Sequence, residues 1–430
     1  MRLSLPKGRL KGHVEAPPSK SYTHRAILAA ALSDGVSKVE APLVSRDTNA
    51  TITACKAFGA TVERGEDWFV ISGTRPRTPD DVINVENSGT TLRLLTSVLT
   101  LVENGYSIIT GDSSLRNRPM QPLLDTLGGL GGQAFSARDN GCAPIIIRGG
   151  GLRGGEAKID GSTSSQFISS ILMSAPLAKE DLTLQVVDAA SKPYIDATIS
   201  VMEDFGVHVS RERYEKFWIK AGQNYTHTVF RVPGDFSAAA FLVAGVTMMG
   251  GEIELGGVDF TRPQGDVRII SILKSMGADV QVGSSSIRAS SSGDKLEGGR
   301  FDLSDNPDLL PVLAVLSLQC KSTVEIVRVG HARFKETDRI AVLATELNKL
   351  GVAVQEKVDG LVILPTKDVK PAVLDSHGDH RMLMAFSLAS MFTGGKCAVE
   401  GVESFDVSYP TFFADLASLG ANIDMGRSEP

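Results

Sequence analysis

AFGATV at 57–62, GLGGQA at 129–134, DFGVHV at 204–209, SMGADV at 275–280, KLGVAV at 349–354 and SLGANI at 418–423 are six versions of one phrase. Each places an apolar residue before a glycine, usually with Val or Ile shortly after. The glycines Gly59, Gly131, Gly206, Gly277, Gly351 and Gly420 are spaced by 72, 75, 71, 74 and 69 residues. Short polar openings before apolar stretches keep the same beat at Ser21, Thr90, Ser164, Ser237, Asp308 and His380. The chain therefore reads as six copies of a unit of about seventy residues, longer than a solenoid repeat and long enough for a small subdomain.

Each unit opens on a short strand: HVEA (13–16), VINVE (82–86), AKID (157–160), FRVPG (230–234), RFDLS (300–304) and AVLDS (372–376). A polar turn leads into a helix that is apolar nearly all round, such as RAILAAAL (25–32) or AAAFLVAGVTMM (238–249), and such helices belong in a core. A second, amphipathic helix closes the unit, as in RIAVLATELNKLG (339–351). The recurring glycine then sits just past that helix, where a left-handed backbone is needed.

Only 10 residues follow Gly420, against 29 to 33 between glycine and next helix elsewhere. Residues 1–20 supply the shortfall, so the N-terminal strands are expected to complete the sixth unit. Six units split as three plus three: a first domain over 15–230, and a second over 1–14 plus 231–430, with the active site expected in the cleft between them. The fold class is α/β, two similar domains of three helix–strand repeats each.

The composition is that of an ordinary soluble chain, 42% hydrophobic and 22% charged, with net charge −6, and carries no basic nucleic-acid footprint. Cys55, Cys142, Cys320 and Cys397 lack paired spacing, which fits a reducing cytoplasm. MRLSLPKGRLKG has no apolar core of a signal peptide, and no stretch has membrane-span length.

Chemistry gathers at the helix starts. Pro17-Pro18-Ser19-Lys20-Ser21 with Arg25, Asn87-Ser88-Gly89-Thr90-Thr91, Gly161 to Gln166, Asp305 to Asp308, and His377 to Arg381 all open first helices. Arg116 and Arg118, Ser191-Lys192-Pro193-Tyr194, and Lys335-Glu336-Thr337-Asp338-Arg339 open second ones. Ser, Thr and Asp there suit capping. Capping does not account for Lys20, Arg25 and Arg381 at ends where the helix dipole disfavours cations. A bound anion does. Lys335 and Arg339 are four apart and expected to share a helical face, while Glu336 and Arg339 can pair at three. Asp308 and Glu336 among these cations are candidates for proton transfer.

At these residues the chain resembles the 5-enolpyruvylshikimate-3-phosphate synthase family, the 3-phosphoshikimate 1-carboxyvinyltransferases. SKSYTHRA (19–26), NSGTTLR (87–93), LRNRP (115–119), DGSTSSQF (160–167), SKPYID (191–196), KETDR (335–339) and GDHRM (378–382) carry the likeness, in order, across nearly the whole chain. The resemblance implies an enolpyruvyl transferase-like inside-out α/β barrel in each domain, closing around the substrates. It implies transfer of the carboxyvinyl group of phosphoenolpyruvate to the 5-hydroxyl of shikimate 3-phosphate by addition and elimination, with no metal or organic cofactor. By motif, Lys20, Ser21, Arg25, Ser164, Ser165, Gln166, Ser191, Tyr194, Asp308 and Lys335 would meet shikimate 3-phosphate. Lys20, Gly89, Arg118, Gln166, Arg339 and Arg381 would meet phosphoenolpyruvate. Lys20, Asp308 and Glu336 would be catalytic, and glyphosate, the family's inhibitor, would occupy the phosphoenolpyruvate site. The expected partners are these small molecules alone, with no nucleic acid or membrane and a monomeric, cytoplasmic chain.

Two positions depart from the family pattern: Val407 where many members have Lys, and His331 where many have Asn. Three other readings compete. The sister transferase on a UDP-sugar is opposed by SSQF, SKPY and KETDR. A metal hydrolase on His377-x-x-His380 with Asp379 lacks a third ligand. A non-catalytic anion-binding module would need neither Asp308 nor Glu336.

Overall fold

A computed structural model describes residues 2–394 and 397–426. The chain divides into two compact units: Pro18–Pro233, continuous in sequence, and Met1–Pro17 with Gly234–Pro430, discontinuous. Among the described residues each unit holds six α-helices and three four-stranded sheets.

In the continuous unit the helices are α1 (Lys20–Leu32), α2 (Arg46–Ala57), α3 (Gly89–Val98), α4 (Gln121–Gly129), α5 (Ser165–Ser174) and α6 (Lys192–Asp204). In the discontinuous unit they are α7 (Phe236–Met249), α8 (Ile269–Ser275), α9 (Leu310–Leu316), α10 (Arg339–Lys349), α11 (His380–Phe392) and α12 (Phe412–Ser418). The odd-numbered helices are the apolar ones. Every residue of α3, α7 and α9 is buried. The exceptions in α1 and α5 are Lys20, Ser21 and Gln166, all at the N-terminal mouths. Apolar side chains drive these helices inward, each contributing ~1.5–3 kcal/mol on full burial, and only the polar openings stay accessible. The even-numbered helices are one-sided: α10 buries Ile340, Leu343, Ala344 and Leu347 at helical spacing.

All six recurrent glycines have φ between +77° and +111°, immediately after the helix C-cap residue. A side chain is strained there, which is why one residue type recurs at this beat.

The six sheets share one plan: a parallel pair extended on one side by two antiparallel strands. Strands 83–84 and 106–110, 155–160 and 182–187, 299–302 and 324–327, and 373–375 and 398–400 are parallel pairs within one repeat. The first and fourth repeats differ from the sequence reading. Strand 10–15, which takes in His13 to Glu15 of HVEA, pairs with 251–256 of the fourth repeat, while strand 229–231, which takes in Phe230 and Arg231 of FRVPG, pairs with 36–40 of the first. The two opening strands have exchanged places, because each crosses to the other unit before its helix begins. Strand 2–4 lies between 398–400 and 424–426 and completes the sixth sheet, so the two ends of the chain are joined in one ladder. Strand 10–15 belongs to the fourth sheet instead. Leu3, Leu5, Leu10 and Val14 are buried in the core of the discontinuous unit. No described helix is long and apolar enough to cross a membrane.

Candidate active site

In the continuous unit three helix mouths are tied together by side chains. Lys20, the first residue of α1, places Nζ 2.8 Å from Oδ2 of buried Asp47 in α2. One turn on, Arg25 is 1% exposed and spans three helices. It donates from Nε to Thr198 Oγ1 at 2.7 Å, from Nη1 to the Ser21 carbonyl at 2.9 Å, and from Nη2 to the Tyr194 carbonyl at 3.1 Å and Ser169 Oγ at 3.4 Å. Burial pushes this guanidinium down to about 10. Ser191 precedes α6 in a left-handed conformation, φ 53°, which folds Tyr194 back towards Arg25. Ser164 caps α5 by accepting from the Gln166 amide at 3.2 Å, and Ser165 is buried in the first turn. Gln166 reaches α3, donating to Thr90 Oγ1 at 2.9 Å and accepting from Arg93 Nη1 at 2.8 Å. Arg118 donates from Nη2 to Asn87 Oδ1 at 2.8 Å and Ser114 Oγ at 3.4 Å.

Gly89 opens α3 behind the cap Ser88, and its backbone is not left-handed, so the turn itself does not demand glycine. A Cβ there would lie 2.8 Å from Arg118 Nη1, with Leu115 and Arg93 at 3.7 and 3.8 Å. Gly89→Ala should therefore fold normally and displace the Arg118 guanidinium. Misplacement of a binding group is costly. On the family expectation that phosphoenolpyruvate and glyphosate occupy this helix mouth, the outcome is a rise of about tenfold in the glyphosate concentration needed for half-inhibition, with a smaller rise in the Michaelis constant for phosphoenolpyruvate. Inhibition curves and melts on both proteins check this, and unchanged inhibition would remove Gly89 from the pocket.

In the discontinuous unit the hub is Arg339, 1% exposed at the start of α10. Its Nε meets Asp379 Oδ2 at 2.8 Å, Nη1 meets Asp308 Oδ1 at 2.8 Å, and Nη2 meets Glu336 Oε2 at 2.8 Å and Asp379 Oδ1 at 3.3 Å. Burial would lower its proton affinity, but Asp379, Glu336 and Asp308 together raise it above that of an ordinary guanidinium. Asp308 also meets Arg381 Nη2 at 3.2 Å, and Lys335 Nζ stands 3.9 Å away. The Glu336–Arg339 pair inferred from spacing is present. The shared helical face of Lys335 and Arg339 is not: Asp338 caps α10 through the Ala341 amide at 3.0 Å, so Lys335 precedes the helix in extended backbone. Both cations reach Asp308 all the same. Val407 is buried in the turn 402–407 before α12, an apolar residue where a cation was the family pattern.

His331 lies in the turn Gly330–Phe334 and is held down to about 4 by burial and by Lys335, with Asp308 opposing. Its unfolded value is about 6.5. Between pH 6.5 and 4 the unfolded chain takes up a proton that the native state refuses, so stability falls as pH drops, by on the order of 3 kcal/mol from this group. Thermal melts at pH 7 and pH 4.5 should show the wild type losing more stability than His331→Asn; equal losses would contradict this.

Sequence reasoning gave Asp47, Arg93 and Asp266 no role and considered Asp379 only as a metal ligand. Asp379 looks like a plain N-cap, and it does accept from the Arg381 amide at 2.9 Å, yet it also braces Arg339. Asp47 sits in the first turn of α2. Arg93 is embedded in an apolar helix and stacks over Phe167. Asp266, bonded to Ser237 Oγ, is raised to about 6 by burial and by Asp308. A charged residue inside or just before an apolar run was the available signal for Asp379, Arg93 and Asp266, whereas Asp47 opens the largely polar α2 and carries no such signal. Among the described residues, no three His, Cys, Asp or Glu are grouped to hold a metal, and His377 Nε2 faces Glu346 Oε1 at 3.2 Å.

The model of the EPSP synthase (3-phosphoshikimate 1-carboxyvinyltransferase) family matches residues 5–416. The chain belongs to the EPSP synthase family. It is 46% identical over 431 residues to the 3-phosphoshikimate 1-carboxyvinyltransferase of Methanothermobacter thermautotrophicus, covering 99% of this chain and 100% of that one. It is 43% identical to the enzyme of that name from Methanocella arvoryzae, over 98% of this chain and 99% of the relative. The solved EPSP synthase from Acinetobacter baumannii superposes with a TM-score of 0.81 at 26% identity, over 99% and 100% of the two chains. Membership of the EPSP synthase family makes the chain a transferase of the shikimate pathway to aromatic amino acids, with the family's carboxyvinyl transfer as its reaction. It favours that reaction over the UDP-sugar reading.

Proposed function

We propose that the two residue clusters serve one pair of substrates, shikimate 3-phosphate and phosphoenolpyruvate. Ser21, Arg25, Ser164, Ser165, Gln166, Ser191, Tyr194 and Lys335 hold the first, and Gly89, Arg118, Gln166, Arg339 and Arg381 hold the second, with Lys20 touching both. Guanidinium forks suit carboxylate and phosphate, and hydroxyls at helix mouths suit phosphate. The observation that carries the reading is the set of contacts around Asp308: Arg339 at 2.8 Å, Arg381 at 3.2 Å and Lys335 at 3.9 Å surround one carboxylate. Opposite charges favour the ionised form, the form able to accept a proton.

In the addition step the 5-hydroxyl oxygen bonds to C2 of phosphoenolpyruvate, its proton passes to Asp308, and C3 gains a proton to become methyl. In the elimination step the C2–O bond to phosphate breaks and C3 loses a proton, restoring the vinyl group. Glu336 gives and retakes the C3 proton, Lys20 assists, and the hydroxyl proton departs with phosphate. The chain acts in this reading as a monomer in the cytoplasm, in keeping with four free cysteines, three of them buried.

Phosphate release tests the proposal. Release should require both substrates together. Release from phosphoenolpyruvate alone, or none from the pair, would overturn it.

A further inference from the structure

Beneath the substrate-facing residues of the continuous unit runs a buried chain of hydrogen-bonding groups that the roles above leave unexplained. It begins at Lys20, whose Nζ meets Asp47 Oδ2 at 2.8 Å. His24, on the next turn of α1 and fully buried, presents Nε2 to the same oxygen at 3.6 Å. Its Nδ1 is 2.6 Å from Thr51 Oγ1 in α2. Thr51 Oγ1 is 2.6 Å from Thr91 Oγ1 in α3, and Thr91 Oγ1 is 2.6 Å from Ser88 Oγ, the cap of α3. Thr51, Thr91 and Ser88 are at most 2% exposed. The chain thus joins the mouth of α1 to the mouth of α3, one residue from Gly89.

Each link from His24 to Ser88 is of hydrogen-bond length. Burial lowers the proton affinity of His24, so the imidazole is neutral and has one donor and one acceptor. Lys20 and His24 hold Asp47 ionised against its burial, and His24 Nε2, 3.6 Å from the carboxylate, acts on it electrostatically rather than through a hydrogen bond. His24 Nδ1, Thr51, Thr91 and Ser88 can all be satisfied by one relay of hydroxyl donors, and Ser88 Oγ also accepts from the Thr91 amide at 3.3 Å. Aligned hydroxyls polarise one another, and breaking one link leaves buried groups unsatisfied.

We propose that His24, Thr51 and Thr91 are positioning residues that lock Lys20 and the Ser88–Gly89 turn into one arrangement for phosphoenolpyruvate. They touch no substrate themselves and act through Asp47 and the α3 cap. The inference rests on the reading that Lys20 and Gly89 meet phosphoenolpyruvate. The groups proposed for shikimate 3-phosphate alone, such as Arg25 and Tyr194, lie off this chain.

Thr51→Val keeps the shape and removes the hydroxyl, whereas Thr51→Ser keeps the hydroxyl and removes the methyl. Steady-state rates with both substrates should show kcat/KM for phosphoenolpyruvate about tenfold lower in the Val variant, roughly the scale of weakening one placed binding group. The Michaelis constant for shikimate 3-phosphate should change less than about twofold, and the Ser variant should regain most of the activity. Wild-type rates in the Val variant, or equal loss in Val and Ser, would overturn the proposal, the latter by making the methyl contact the cause. If the Val variant does not fold, Thr91→Val and Thr91→Ser decide by the same criteria. Turnover of the wild type in the same assay separates failure of this inference from failure of the assigned reaction.

Discussion

Glu336→Gln is expected to lower turnover by at least ~100-fold, the usual scale for losing a positioned acid or base. The substitution is nearly isosteric. Glu336 Oε2 accepts from Arg339 Nη2 at 2.8 Å, and an amide oxygen can accept the same bond. Arg339 also keeps Asp379 and Asp308, so its guanidinium should stay where it is. Shikimate 3-phosphate affinity, measured by calorimetry, should remain within about threefold, whereas the C3 proton would lose the carrier proposed for it. A variant with wild-type folding and near-normal turnover would rule Glu336 out as that carrier.

The largest effect on stability is expected at Asp379. This carboxylate is fully buried, holds Arg339 through two bonds and caps α11. Removing one partner of a buried ion pair leaves an under-compensated charge and costs about 3–5 kcal/mol. For a unit of this size that corresponds to a fall of roughly 10 °C in melting temperature. Asp379→Ala should show it in calorimetry, with the heat-induced loss beginning in the discontinuous unit. A shift under about 2 °C would mean that Asp308 and Glu336 alone suffice to neutralise Arg339.

The parts of this protein that could be read in sequence are those with local causes. The six glycines were recoverable because each helix end needs a left-handed residue, whatever packs around it. The buried helices were recoverable because an all-apolar helix has nowhere else to go. The exchange of strands 10–15 and 229–231 had no such signature: both look like any opening strand, and the choice of partner depends on residues hundreds of positions away. Within the site, Lys335 was placed on a helix because charged residues preceded an apolar run. Asp338, a better cap, starts that helix later. Asp47 and Asp379 were overlooked because a carboxylate at a helix start already has a reason to be there. Their second duty, bracing Lys20 and Arg339, is set by side-chain geometry between elements.

The position of strand 2–4 has a consequence for how the molecule is made. Leu3 is paired with Val399, so during synthesis this strand must wait for a partner made roughly 400 residues later. At about 5–20 residues per second that delay is roughly 20–80 s. Pro18–Pro233 contains all its own strands and can fold during the wait. The segment before Pro18 meanwhile carries Leu3, Leu5 and Leu10, all destined for a core that does not yet exist. Newly made chains should therefore be most vulnerable to proteases and to association along the stretch that holds Leu3, Leu5 and Leu10.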